Sequence, residues 1–324
     1  MNSPSPSIPP DLAAFDRDVA PAFVAAKFGI SLDELQRLFR NRPWPRLTYR
    51  IVQGAERDGI IRQVLERIDT ADLRVVGDND GTVWERGWGE ILDRIRAQGF
   101  DSSLLYPQYF DQHRIMRFDG HYIDAGSSAF VRAYDDLLRR LVLARYFEGA
   151  TRVVELGCGT GTSQSILAEL LPDAKLVAAD WAAPSQGIIR MLATHMKRAI
   201  RPVRFNMLTL EGFDELAIDQ ATSVLSVHAL EQLGGNWGPL LGKLLEAKPQ
   251  LCLHLEPILE LYDESTLFDF LAVKYHRRRN YLHGWLTRLR ELAAAGKVEI
   301  MDERRLCFGD RYHEAHSVVA WRPL

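Results

Sequence analysis

The apolar positions along this chain change rhythm near residue 150. Before that point they recur at helical spacing, as in 64–68 and 88–95. Ser31-Leu-Asp-Glu34 fits a capping box, with the serine bonding forward and the glutamate reaching back. Gly77-Asp-Asn-Asp-Gly81 reads as a turn cluster. The stretch 103–123 is aromatic-rich and irregular, and a helix is expected from Ser127 or Ser128 to Tyr146. After residue 150, short β-branched runs at 152–156, 175–180, 203–206, 223–227 and 251–256 alternate with helical stretches. Two further runs, 298–301 and 316–321, follow a long helical stretch ending near Ala295. This alternation predicts an α/β domain, a parallel sheet with helices on both faces. The expected division is a disordered tip over 1–10, a mainly helical region over 11–148, and a ligand-binding domain over 149–324. The helical region is expected to act as a cap over a substrate or as a dimerisation surface.

Composition narrows the classes. The 40 basic and 43 acidic residues among 324 give a net charge of −3. That balance disfavours a nucleic-acid binder, whose phosphate contacts need a basic excess. No run approaches the ~18 uncharged apolar residues of a membrane span. Cys158, Cys252 and Cys307 are odd in number and lack metal-ligand spacing, which suits reduced thiols in a cytoplasmic protein. The first ten residues lack the basic and apolar regions of a signal peptide. With no His-x-His, Cys-x-x-Cys or paired aspartates, no metal is expected.

The sharpest chemical signal is Val153-Val-Glu-Leu-Gly-Cys-Gly-Thr-Gly161, a buried strand running into a glycine loop and then a helix. Glycines allow a tight turn and close backbone approach to a ligand. A nucleoside triphosphate would want a lysine after the loop, and there is none. A dinucleotide would want a glycine at position 162, where this chain has threonine and places its third glycine at 161. Glu155 would also repel a pyrophosphate. S-adenosylmethionine carries an ammonium and a sulfonium instead of a phosphate, so an acid ahead of the loop attracts it. Asp180, at the end of the next run, stands where a ribose-binding carboxylate belongs, and Trp181 beside it is placed to cover an adenine face.

On these residues the segment 151–324 resembles a class I, Rossmann-like, S-adenosylmethionine-dependent methyltransferase. The resemblance implies a seven-stranded sheet of order 3-2-1-4-5-7-6 with the last strand antiparallel. It implies that Glu155, Gly157, Cys158, Gly159 and Gly161 surround the methionine portion, that Asp180 holds the ribose, and that Trp181, Asn206 and Met207 flank the adenine. An acid is common at position 206 in that family. Here an asparagine carbonyl would accept the adenine amine. After the fourth strand, His228-Ala-Leu-Glu-Gln-Leu233 is similar to a Leu-Glu-His-type segment, with Gln232 where histidine is common. A weaker similarity, to bacterial methyltransferases of sugars or surface glycans, attaches to 256–262 and 274–281.

Ligands of open parallel sheets bind beyond the carboxyl ends of the strands. His228 and Glu231 after the fourth strand, and Glu256 and Tyr262 after the fifth, are therefore expected at the acceptor pocket. A hydroxyl acceptor gains from a general base, so His228 is the first candidate, with Glu231 to orient it or bind substrate. The run Lys274-Tyr-His-Arg-Arg-Arg-Asn-Tyr281 offers two helical faces. One carries Lys274, Arg277, Arg278 and Tyr281; Tyr275, His276 and Asn280 lie elsewhere. With Arg279, these residues are candidates to receive an acidic or sugar-like small molecule. Tyr106, Tyr109, Phe110, His121 and Tyr122 line the pocket or pack as a connector. The expected activity is O-methylation of a small polar acceptor, a sugar, glycan precursor or other metabolite. N-methylation of a small molecule or protein, and a catalytically inactive cofactor-binding scaffold, remain as alternatives.

Overall fold

The computed structural model describes residues 15–77, 81–107 and 114–324. The expected tip, Asp78–Asp80 of the turn cluster, and Tyr109 and Phe110 lie outside the described residues. In chain order the strands are β1 (Arg17–Asp18), β2 (Thr48–Ile51), β3 (Ile115–Phe118), β4 (His121–Ala125), β5 (Arg152–Leu156), β6 (Lys175–Asp180), β7 (Ile200–Arg204), β8 (Ser223–Val227), β9 (Leu251–Glu256), β10 (Val298–Arg305), β11 (Phe308–Gly309) and β12 (Ser317–Pro323). The helices are α1 (Pro21–Phe28), α2 (Leu32–Leu38), α3 (Gly54–Asp69), α4 (Thr82–Gln98), α5 (Phe130–Phe147), α6 (Thr162–Leu170), α7 (Ala183–Met196), α8 (Phe213–Leu216), α9 (Gly238–Ala247), α10 (Leu267–Arg279) and α11 (Trp285–Ala294).

The large sheet has the order β10-β12-β9-β8-β5-β6-β7. Strands β5 to β9 are parallel, while β12 runs antiparallel to both β9 and β10. Counted within the domain, that is 3-2-1-4-5-7-6 with a reversed last strand, so the chain has the class I methyltransferase fold. The central strands β8 and β9 are buried along their whole length, as strands covered on both faces must be. Their runs of Ser-Val-Leu-Ser-Val and Leu-Cys-Leu-His-Leu-Glu show no alternation for that reason.

Three boundaries differ from the sequence reading. The third strand starts at Ile200 rather than Val203, because Ile200 to Arg204 pair in register with Leu176 to Asp180. β10 runs on to Arg305 through a bulge between Ile300 and Asp302. The long helical stretch before it is two helices, α10 and α11, divided at Asn280 and Gly284, both at positive φ. The capping serine works forward, its Oγ accepting the Glu34 N–H at 3.1 Å.

The N-terminal region is mainly helical but carries a second sheet that the periodicity did not reveal, β1-β2-β4-β3-β11. Its fifth strand, β11, comes from the hairpin between β10 and β12, so the two ends of the chain are laced together. The helices α1, α2, α4 and α5 share one hydrophobic core with one face of the large sheet; Phe28, Leu35, Ile95 and Leu138 meet Leu167, Ile188 and Leu253 there. A second core on the opposite face holds Trp285 and Trp321. A third joins α3 to Leu271 and Tyr275 of α10. No helix among the described residues is long and apolar enough to cross a membrane.

Candidate functional site

β5 delivers Glu155 and then turns sharply through Gly157, Cys158, Gly159 and Gly161, whose glycines have φ of +70°, +52° and +85°. The turn is tied down by its neighbour strand. The Gly157 and Cys158 N–H groups both donate to the Ala179 carbonyl, at 2.8 and 2.9 Å. Asp180, at the end of β6, accepts the Gly159 N–H at 2.8 Å on one oxygen and the Ala182 N–H at 2.9 Å on the other. A carboxylate has about four acceptor positions, so two remain for ligand hydroxyls. Thr160 Oγ1 donates to the Leu105 carbonyl at 2.6 Å, which fastens the loop to the N-terminal region.

The three glycines do different work. A Cβ at Gly157 would lie 2.4 Å from the Ala229 Cβ, so a side chain there would collide with the loop after β8. A Cβ at Gly159 would meet the Trp88 ring at 3.1 Å on the pocket wall. A Cβ at Gly161 would meet Ile189 at 2.6 Å and Leu192 at 3.1 Å. Gly161 was expected at the cofactor; it is absent from the lining of the two pockets beside the loop and packs closely against Ile189 and Leu192 of α7.

Two pockets open from this loop. The smaller is lined by Asp180, Trp181, Phe205, Asn206, Met207, Ala229 and Gln232, with Arg74 and Trp84 opposite. The larger, about 300 Å³, is lined by Glu155, Cys158, His228, Glu231, His313 and His316, and from the N-terminal region by Trp84, Trp88, Tyr106, Met116 and Arg139. Trp84, Trp88, Gly157, Gly159 and His228 belong to both, so the pockets meet at one shared wall. Trp84 and Trp88 stack at 5.3 Å, four residues apart on one face of α4.

Asn206 departs from its expected part. Its Oδ1 accepts the Leu208 N–H at 2.9 Å and the Thr209 N–H at 3.3 Å, so the carbonyl meant for an adenine amine is spent on a local turn. The turn brings Met207 to the pocket wall.

Burial tunes the acids. Glu155 accepts from Gln164 Nε2 at 2.9 Å, and burial pushes its carboxyl up to about 7. Asp180 is pushed up to about 6 by the same cause. Glu231 rises to about 8, through burial first and the neighbouring Glu256 second. His228 is pushed well below the usual imidazole range by burial, with His316 and Arg139 adding to it. It also holds a φ of +53°, a strained backbone for a side chain of this size. Its Nε2 lies 3.0 Å from His316 Nε2, and His316 Nε2 lies 2.9 Å from Asp135 Oδ1.

The remaining acceptor candidates are elsewhere. Glu256 is fully buried; it accepts the Ser226 hydroxyl and the N–H groups of Ala229, Leu230 and Glu231, and so shapes the turn that presents His228. Tyr262 Oη donates to the Glu314 carbonyl and accepts the Glu314 N–H, both at 2.9 Å. Tyr275 stacks on Tyr312 at 5.1 Å, and His276 Nε2 lies 3.0 Å from His313 Nδ1, behind the wall. Arg277 pairs with Glu264 at the surface. Arg279 lies over the Tyr281 ring at 4.7 Å. Asn280 ends α10 in the left-handed region and donates to the Val76 carbonyl at 2.8 Å. None of these seven reaches the cavity, because α10 packs its aromatic face on α3 and the last hairpin.

The structure adds residues that the sequence reading did not single out: Trp84, Trp88, Asp135, Arg139 and His316. The spacing of the two tryptophans was a usable signal. Asp135 and His316 carry none, since they lie on a helix and before a strand remote in sequence. Of the aromatic stretch, Tyr106 lines the cavity, Tyr122 is buried in the third core and His121 is exposed.

No protein family's sequence profile matches the chain, and no curated protein does. Among solved structures it is similar to human N-acetylserotonin methyltransferase in complex with SAM, at 14% identity and a TM-score of 0.43, covering 95% of this chain and 88% of that one. It is similar to an O-methyltransferase family protein from Burkholderia thailandensis, at 15% identity and a TM-score of 0.41, covering 95% and 89%. It is also similar to an N,N-8-amino-8-demethyl-D-riboflavin dimethyltransferase from Streptomyces davawensis, at 14% identity and a TM-score of 0.39, covering 96% and 91%. Likeness at this level assigns no chemistry to this chain.

Proposed function

We propose that the chain is an S-adenosylmethionine-dependent methyltransferase whose acceptor is a small molecule. The observation that carries this reading is the shared wall: a glycine loop flanked by Glu155 and Asp180 stands where two pockets meet, one suited to a nucleoside and one to an acceptor. The donor set fits the group. Asp180 keeps acceptor capacity for ribose hydroxyls, while Trp181, Phe205 and Met207 supply apolar faces for an adenine. Glu155 faces the larger cavity, where an ammonium would lower its raised pKa and hold it charged.

The donor supplies a methyl group already activated on a sulfonium, so the protein's work is positioning. The acceptor's lone pair forms the new bond to the methyl carbon, the sulfur–carbon bond breaks, and its electron pair stays on sulfur. An acceptor hydroxyl gives up its proton to a base on the cavity wall or to water. Gly157, Gly159 and His228 border the point of transfer, and Trp84 and Trp88 close it from the N-terminal side, which acts as the cap. His228, on the wall common to both pockets, activates the acceptor, and Glu231 beside it is held toward its protonated, hydrogen-bond-donating form.

O-methylation is the reading we carry forward, because a histidine faces the acceptor cavity. The sugar-like character inferred from the basic run loses its support, since Arg277 and Arg279 lie off the cavity. The lining of tryptophans, Tyr106, Met116 and Phe308 favours a flat, largely apolar acceptor with a few oxygen donors. The test is titration calorimetry with S-adenosylmethionine, then transfer of a labelled methyl group to a panel of hydroxyl and amine compounds. Binding with transfer to hydroxyls is expected. Binding without transfer to any hydroxyl compound would sink the O-methyl reading, and absence of binding would leave a scaffold.

A further inference from the structure

We propose that Asp135, His228 and His316 hold a divalent first-row transition-metal cation, of the zinc or iron(II) type, on the wall of the larger cavity. The three side chains come from α5, the end of β8 and the residue before β12, and their ligand atoms all lie within 4.8 Å of one another. Sequence spacing concealed this set, for only the tertiary fold unites its members.

The contacts are poorly explained by hydrogen bonds alone. His316 Nε2 faces Asp135 Oδ1 at 2.9 Å and His228 Nε2 at 3.0 Å, yet a ring nitrogen carries at most one proton. The His316 Nδ1 lies 3.3 Å from the Phe308 carbonyl, where a proton on that nitrogen finds its acceptor. Nε2 then presents a lone pair that a His228 Nε2–H can meet but that Asp135 Oδ1 cannot. The rings do not meet head to head either. Their centroids are 4.4 Å apart with planes at 81°, whereas a linear N–H···N bond between imidazoles needs about 5 Å. The two rings therefore meet off axis.

The arrangement suits a cation. Ligands about 2.1 Å from a metal and near a right angle to each other stand about 3 Å apart; His316 Nε2 stands so from Asp135 Oδ1 and from His228 Nε2, and all three ligand atoms lie within 4.8 Å of one another. Two histidines and one carboxylate on one side of a metal leave open positions on the other. Here the open side is the cavity, which His228 and His316 line. The supports typical of metal ligands are present. Arg139 Nε donates to the other Asp135 oxygen at 2.7 Å, and the Phe308 carbonyl orients His316.

The open positions would receive an oxygen of the acceptor and acidify its hydroxyl, whose proton would leave to water, so His228 activates it through the cation rather than by taking its proton. That last assignment rests on the methyl-transfer reading; the cation site does not.

The test uses the full chain, stripped with a chelator and dialysed against zinc and, separately, cobalt(II). Elemental analysis and the visible cobalt absorption are read, with S-adenosylmethionine calorimetry in parallel. One cation per chain and a cobalt spectrum of low coordination number are expected. His316→Gln keeps a side chain that can bond Asp135 but removes the ring ligand, and it should weaken the cation by at least about 100-fold while leaving the thermal midpoint of the stripped protein in place. Asp135→Asn should weaken the cation likewise, at a cost in stability because Arg139 loses its buried partner. A stripped wild-type chain that takes up no stoichiometric cation, or a His316→Gln variant that binds cobalt with an unchanged spectrum, overturns the proposal in favour of a hydrogen-bonded relay. Cobalt binding without S-adenosylmethionine binding would instead overturn the methyl-transfer reading alone.

Discussion

Glu155, Gly157, Gly159 and Asp180 come from two adjacent parallel strands and the loops directly after them, and main-chain bonds hold them in place. The opposite side of the cavity draws on α4, Tyr106, α5, the end of β8 and the hairpin over 309–316. The first wall is local in sequence and supported by a sheet. The second exists only because α5 and β11 bring the N-terminal region and the last hairpin together. The proposed donor side is thus of fixed shape and the proposed acceptor side is assembled from scattered parts, so the two should respond differently to perturbation.

The largest difference is expected with pH. Glu155, Asp180 and Glu231 are raised to about 7, 6 and 8, above their values in an unfolded chain. These three groups therefore bind more protons in the folded chain, and their contribution to stability falls as pH rises, by a few kcal/mol at most. Buried histidines such as His228, held below the usual imidazole range, act in the opposite sense below about pH 6.5, so the net fall is expected between about pH 6.5 and 8. Chemical denaturation of the cofactor-free protein at pH 6.5 and pH 8 measures it. S-adenosylmethionine should flatten the slope, and its affinity should climb toward pH 7 as Glu155 and Asp180 ionise. A flat profile without the cofactor would mean that these acids are solvated.

Asp180→Ala comes next. It removes the acceptor of two main-chain N–H groups and of the ribose hydroxyls, so affinity for S-adenosylmethionine should drop by about 2–4 kcal/mol. Calorimetry reads this directly, and a change under threefold would misplace the donor wall. Gly161→Ala should cost about 1–3 kcal/mol of stability, through a positive φ and a collision with Ile189, while the folded protein keeps its cofactor affinity. Denaturant midpoints compared with calorimetry separate these two effects. Trp88→Ala, on the shared wall, should weaken acceptor and cofactor together by about 1 kcal/mol each. A loss confined to one ligand would show that the two pockets are independent.

Arg277→Ala is the smallest. Its pair with Glu264 is exposed, and both stability and acceptor KM should stay within about 0.5 kcal/mol. A large rise in acceptor KM would restore the basic run to the site.

Legibility follows the same divide. The runs 152–156, 175–180, 223–227 and 251–256 coincide with strands because each is mainly apolar, too short for a helix and bounded by turns. The second sheet was not legible, since β1 and β11 are two residues long and β2 has no buried face. Asp180 and Trp181 stand at a pocket where register placed them. Glu256 was assigned to the pocket by the rule that ligands sit beyond strand ends, yet it turns back to bond the N–H groups of Ala229, Leu230 and Glu231. The basic run of α10 announced charge but not direction, and its rings pack inward against Tyr312 and His313.

By itself the sequence determined the α/β layout and the glycine loop with its two acids, because hydrophobic period and turn chemistry act between near neighbours. Which side chains face the acceptor, and the meeting of Asp135 with His228 and His316, were decided only in three dimensions. No local rule connects positions 135, 228 and 316; their approach follows from the packing of α5 against the large sheet and from the pairing of β11 with β3.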